Sequence, residues 1–125
     1  MDQATRAALE RGQLVEMTTT GARTGKPRPI QIMLHNFDRR LFVSGVPNAV
    51  KKRAWLTNLE VHPDLTIRLV NGPGAELAAR AKVITDPAER KAVLPKVAAV
   101  WNRTDIGTML EFSPLAEITI EGYPG

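Results

Sequence analysis

The sequence predicts a mainly β domain of the α+β class, a small six-stranded antiparallel barrel, closed or half-open, with helices at its connections. Three observations carry that expectation. Six short segments are rich in β-branched residues or alternate apolar with polar side chains, the pattern of half-buried strands. The first three follow one another with short turns, a meander, and a later pair is joined by a strong turn as a hairpin. Helical patterns interrupt the strands at only two main places. A strand-turn-strand at the start and a hairpin after the first of those helices fit a split barrel, while periodicity leaves its closure open.

Residues 3–11 are good helix formers, closed by Gly12 as a C′ residue. This helix has few large apolar groups, so it is expected to lie across a barrel mouth or to be loosely held. Residues 14–20 form a first strand. Residues 29–35 form a second, with Ile30, Ile32 and Leu34 alternating against Gln31, Met33 and His35. A turn at 36–39 leads to a third strand over 40–45. Asn48 then reads as the N-cap of a helix over 49–59, stopped by His62 and Pro63. Helical spacing would put Lys51, Trp55, Asn58 and His62 on one face, with Lys52, Leu56 and Leu59 beside them. Lysines in a first turn oppose the helix dipole, and an anion docked there would remove the penalty.

Residues 64–70 alternate cleanly, and Asn71-Gly-Pro-Gly74 turns the chain into a partner strand over 75–84, with Leu77, Ala81 and Val83 inward. Asp86, Pro87 and Glu89 resemble a capping box. Val93, Val97, Val100 and Trp101 follow as an apolar stripe, and Pro95 inside it predicts a kink or two short helices. Residues 102–114 read as loop, and 115–121 as the last strand. The 125 residues make one domain, an N-terminal helix over 1–12 and a barrel over 13–121.

Composition excludes several functional classes. No apolar run reaches the ~18 residues of a membrane span, and the start, Met1-Asp-Gln-Ala-Thr, has no apolar leader, so a cytoplasmic location is expected. With no cysteine there is no disulfide framework or thiolate metal site, and His35 and His62 alone are too few for zinc. Ser44 has no His/Asp arrangement around it and is not expected to be a nucleophile. The net charge of +4 and an aromatic content of 5% argue against a nucleic-acid module and leave a small molecule as the expected partner.

Six of the 17 cationic residues fall in two clusters, Arg23, Lys26 and Arg28, then Lys51, Lys52 and Arg53. The first sits in Thr18-Thr-Thr-Gly21-Ala-Arg-Thr-Gly25-Lys-Pro-Arg28, a β-branched run meeting two glycines four residues apart. Such a segment suits a strand, a tight turn and a second strand. Its chemistry fits either a solvated turn or the holder of an anion, most simply a phosphate.

That segment, then Phe42-Val-Ser-Gly45, then Ala54-Trp-Leu-Thr-Asn-Leu before Pro63, and Leu65-Thr-Ile67, resemble the deazaflavin (F420)-dependent nitroreductase family. This family lies in the flavin/deazaflavin oxidoreductase split-barrel superfamily, with pyridoxamine-phosphate-oxidase-like proteins. The matched order spans about residues 15–70. The resemblance implies a six-stranded antiparallel split β-barrel that binds coenzyme F420, or FMN in related branches. Arg23, Thr24, Lys26 and Arg28 would hold the phosphate and the acidic tail. Ile30, Gln31, Ser44 and Gly45 would lie toward the ring, Trp55 and Asn58 would orient the helix beside the cofactor, and Lys51, Lys52 and Arg53 would add positive charge.

The implied activity is transfer of hydride from reduced F420 to an electron-poor acceptor. An FMN-binding protein or a non-catalytic cofactor binder is the alternative, and the resemblance also raises a homodimer. Ala22 replaces a common Arg, Leu56 takes a position often aromatic, and Lys52-Arg53 stands where His-Pro is frequent. Tyr123 is the only tyrosine, so the tyrosines that line the substrate pocket of some members are missing, and nitroreduction as such is not predicted.

Overall fold

Alternation along the first strand shows how the chain sorts its faces. In β1 (Gln13–Thr20) Val15, Met17 and Thr19 are buried, while Leu14, Glu16 and Thr18 face outward. The computed structural model describes residues 1–125. β2 (Pro27–Phe37), β3 (Arg40–Ser44), β4 (Asp64–Arg68), β5 (Glu76–Val83) and β6 (Leu115–Ile120) complete a closed antiparallel barrel in the order β1-β2-β3-β6-β5-β4, with β4 paired back onto β1. Inward side chains, among them Val15, Met17, Leu34, Leu41, Val43, Ile67 and Ile118, fill the barrel core.

A second core lies outside the barrel. Phe42 and Leu115 meet Val93, Leu94, Val97 and Ala98 of α3 (Pro87–Val100) and Met109 of α4 (Ile106–Phe112). α1 (Gln3–Arg11) is firmly docked rather than loosely held. Asp2 accepts the Thr5 N–H at 2.8 Å, and Ala8 and Leu9 are fully buried. Asn36 Nδ2 donates to the Leu9 carbonyl at 2.9 Å and to the Tyr123 hydroxyl at 2.8 Å. Gly12 ends the helix at φ 66, where an added Cβ would stand 2.9 Å from the Leu34 carbonyl oxygen.

Three expectations fail. The helix α2 begins at Ala54 and ends at Val61, with Arg53 at its N-cap and no capping side chain. Asn48 instead accepts the N–H groups of Val50 and Lys51 at 3.0 and 3.1 Å, closing a local turn. Val50 is 96% exposed, so a helix started at residue 49 would have had nothing to pack on. Lys51 and Lys52 therefore precede the helix, and Lys51 shares no helical face with Trp55 and Asn58.

α3 runs unbroken through Pro95, because burial of Val93, Leu94, Val97 and Ala98 holds it on both sides of the proline. The apolar stripe is those four residues; Val100 is 55% exposed, and Trp101 is the half-buried C-cap. Finally, the segment read as loop contains α4. Asp105 makes no side-chain cap bond, since Arg103 holds its carboxylate at 2.6 and 2.9 Å, so no local signal marks the start of this helix.

Candidate functional site

The β1–β2 turn is built by its own backbone and by one side chain from α2. Gly21 donates to the Lys26 carbonyl at 2.8 Å and accepts the Gly25 N–H at 2.9 Å. Gly25 adopts φ 68, and a Cβ on Gly21 would lie 2.6 Å from Thr24 Oγ1. That oxygen accepts the Lys26 N–H at 3.2 Å and Arg28 Nη2 at 3.3 Å. Asn58 is 7% exposed; its Oδ1 accepts the Ala22 N–H at 2.9 Å and its Nδ2 donates to Thr19 Oγ1 at 3.0 Å. The helix and the turn are thereby fixed to each other. The Arg23 and Thr24 N–H groups have no acceptor within the chain.

Arg23, Lys26 and Arg28 are exposed, and none has a carboxylate within 4.0 Å. By contrast Arg40, Lys52, Arg68, Arg80, Lys82 and Arg103 are each paired with an acid. Bidentate contact with Arg40 holds the Glu117 carboxyl below the usual carboxylate range. Two of these unpaired cations, Arg23 and Arg28, border a cavity of about 490 Å³ lined also by Thr24, Ile30, Trp55 and Asn58 among others. Its size is that of a cofactor pocket, roughly 300–1,000 Å³. Free guanidiniums, two unclaimed backbone donors and a buried indole fit a ligand with one anionic end and one flat apolar end.

The remaining predicted residues lie elsewhere. Lys26 stays on the turn but outside the cavity lining, and Gln31 is exposed on β2 opposite Glu16. Ser44 is buried, its hydroxyl donating to the Pro114 carbonyl at 2.6 Å. Gly45 is pinched, since a Cβ there would lie 3.0 Å from Pro114 Cγ and 3.3 Å from the Arg53 guanidinium. Lys51, Lys52 and Arg53 line a separate cavity of about 540 Å³. Sequence reasoning missed the residues that complete that second space, Arg90, Glu111 and Ser113, because they come from α3, α4 and the loop before β6, where periodicity marks only the core.

His35 lies at neither cavity. It is 3% exposed, stacked on Phe37 at 5.6 Å and tilted against Trp101 at 5.5 Å, and its Nε2 has no partner. Burial pulls its pKa down to about 4, so it is neutral at pH 7. No group of His, Cys, Asp or Glu could hold a metal ion, and no helix is long and apolar enough to cross a membrane.

The model of one protein family, F420H(2)-dependent quinone reductase, matches residues 3–109. No curated protein matches the sequence. Among solved structures the chain is similar to a conserved hypothetical protein of Mycobacterium tuberculosis, at 16% identity over 97% of this chain and 81% of that one, with TM-score 0.73. It is also similar to a candidate pyridoxamine 5′-phosphate oxidase of Listeria innocua (15% identity, 92% and 89% covered, TM-score 0.64). A candidate 5-nitroimidazole antibiotic resistance protein of Bacteroides thetaiotaomicron shares the fold as well (11% identity, 96% and 80% covered, TM-score 0.68). At these identities the structural likeness is one of fold, the split barrel that the first three strands and the hairpin predicted.

Proposed function

The chain belongs to the F420H(2)-dependent quinone reductase family, and from that premise we propose that the basic turn and one face of α2 hold the cofactor. The protein is an F420-dependent oxidoreductase, with F420 rather than FMN as its cofactor. Within the site, Arg23, Thr24, Lys26 and Arg28 take the phosphate and acidic tail, assisted by the free Arg23 and Thr24 N–H groups. Ile30 and Trp55 flank the flatter part, and Asn58 keeps turn and helix in register. One observation carries this assignment: three cations unpaired with any acid stand close together on the β1–β2 turn and the first residues of β2, a turn that α2 itself anchors.

When bound in reduced form, F420 supplies hydride from C5 of its ring to an electron-poor acceptor, for which we propose a quinone. The chain needs no nucleophile or metal for this. Its work is to bind the anionic end, orient the ring along the buried indole of Trp55, and exclude water from that face. The exposed Leu14–Met33 pair on the outer β1–β2 surface supports a homodimer as part of the proposal, and the absence of cysteine accords with a cytoplasmic setting. Sedimentation equilibrium should give twice the 13.7 kDa chain mass, and Leu14→Glu should return it to the single value.

Titration with F420, followed by its fluorescence, tests the cofactor assignment. Charge-assisted bonds of about 1.5 kcal/mol from each arginine mean that replacing Arg23 and Arg28 by Ala should weaken binding about 100-fold. Unchanged affinity would show that the turn is merely solvated.

A further inference from the structure

The Asn71-Gly-Pro-Gly74 turn carries chemistry that neither the basic turn nor the core uses. It lies at the other end of the barrel from the basic turn. β1 and β4 are antiparallel, with Thr18 opposite Thr66 and Glu16 opposite Arg68, so β4 delivers the loop after Arg68 beside the start of β1. One backbone bond closes that loop, from the Leu69 N–H to the Ala75 carbonyl at 2.9 Å. Inside it Asn71, Gly72, Pro73 and Gly74 are all exposed.

The chain has five asparagines, and their surroundings set this one apart. Asn36, Asn48 and Asn58 hold their side-chain amides in hydrogen bonds, and each precedes a residue whose Cβ crowds the next backbone nitrogen. Asn102 precedes Arg103, whose N–H is taken by the Ala98 carbonyl at 2.9 Å. Asn71 is followed by a glycine, which has no Cβ and whose N–H has no acceptor within the chain. Gly72 sits at φ 102, and the one group near the place of its missing Cβ is Arg11 Nη2, 3.8 Å away. Arg11 is exposed and has no acid partner.

We propose that Asn71 is a site of spontaneous deamidation, promoted by Arg11. The Gly72 nitrogen gives its proton to water or hydroxide and attacks Asn71 Cγ. The new N–Cγ bond closes a five-membered imide as the Cγ–Nδ2 bond breaks and ammonia leaves. Water then opens the ring at either carbonyl, giving aspartate or a β-linked isoaspartate. The sum consumes one water and releases one ammonia, with no oxidation or reduction. The Arg11 guanidinium favours the negative charge that develops on the Gly72 nitrogen, and afterwards it stands near the new carboxylate. Formal charge falls by one from +4. The isoaspartate form adds one atom to the backbone, which the exposed loop between Arg68 and Glu76 absorbs without breaking the β4–β5 ladder.

Prolonged warm incubation of the full chain in a mildly alkaline buffer, followed by isoelectric focusing and peptide mapping by mass spectrometry, tests this. A form one charge more acidic should accumulate, heavier by about 1 Da in the peptide that holds Asn71. An isoaspartyl methyltransferase should label part of it. Asn71→Ser should abolish that form while the folded chain persists, since the turn is exposed. Arg11→Gln should slow its appearance about two- to threefold, the effect of losing one exposed charge contact. Product arising first at another asparagine would overturn the proposal. So would a rate several times slower in the folded chain than in guanidinium chloride, which would mean that the turn protects Asn71. An unchanged rate in Arg11→Gln would overturn the part given to the guanidinium.

Discussion

Asn58 and His35 are both buried polar side chains, and they differ in how they are satisfied. Asn58 makes one bond as donor and one as acceptor, to groups on β1 and the following turn. Asn58→Ala would leave the Ala22 N–H and the Thr19 hydroxyl without partners. The expected loss is about 2 kcal/mol of stability, read from the urea midpoint, together with weaker F420 binding in a fluorescence titration. A surface substitution such as Gln31→Ala, outside the cavity, should change neither.

His35 has no such partners, and its effect appears with pH. Its folded pKa of about 4 lies below the ordinary value of 6.5, so the unfolded chain binds the proton first. Stability from this residue is complete above pH ~6.5 and declines as pH falls toward 4, with about 2 kcal/mol gone at pH 5. Thermal melts at pH 8 and pH 5 should show that drop in the parent and a smaller one in His35→Leu. The alternation of β2 placed His35 on the face away from Leu34, but did not reveal that α3 covers that face as well. The basic turn was legible in full, because its glycines, β-branched run and cations are neighbours in sequence. Asn58 could be named from the sequence as a candidate, whereas its two bonds span 36 and 39 residues and follow only from the fold.

At the scale of elements, strands were easier to read than helices. Alternation located all six strands to within two residues at either end, and the capping pattern Asp86-Pro87-x-Glu89 marked the start of α3, where Asp86 accepts the Glu89 N–H at 3.0 Å. Helix starts went wrong where a competing local bond intervened. Asn48 looks like an N-cap, and its side chain does accept two backbone N–H groups, but the chain leaves the helical path afterwards. α4 was invisible because its seven residues are held by others: Met109 is buried under α3, and two of its carbonyls are met by Arg90. This guanidinium links α3, α4, the end of β5 and the loop before β6, and burial holds its pKa below the usual arginine value. Arg90→Met keeps most of the apolar stem and removes the donor from the Ile84, Leu110 and Ser113 carbonyls, while the Met109 carbonyl keeps the Ser113 N–H at 2.9 Å. It should lower stability by about 3 kcal/mol or more in urea titration, and Arg90→Lys should recover only part of that, lacking the fork.

For the whole molecule, the number of strands and their antiparallel sense could be read from the sequence, and closure could not. Closure depends on two pairings between strands distant in sequence. β1 pairs with β4 through Met17 and Ile67, and β3 pairs with β6 through Leu41 and Ile118. Neither leaves a mark on local periodicity. The separation of the two cationic clusters into two cavities has the same origin. It depends on α2 standing between them, and so on where that helix begins.

The position of β6 has a consequence for how the protein is made. It is the last strand in order, yet it fills the gap between β3 and β5. During synthesis the ribosome delivers the basic turn, α2 and the hairpin well before the piece that unites them. Until residue 115 emerges, the nascent chain carries two bare strand edges, each able to pair with a neighbouring chain on the same message. Emergence of β6, rather than the folding speed of the segments before it, sets the moment at which this barrel is safe from its own copies.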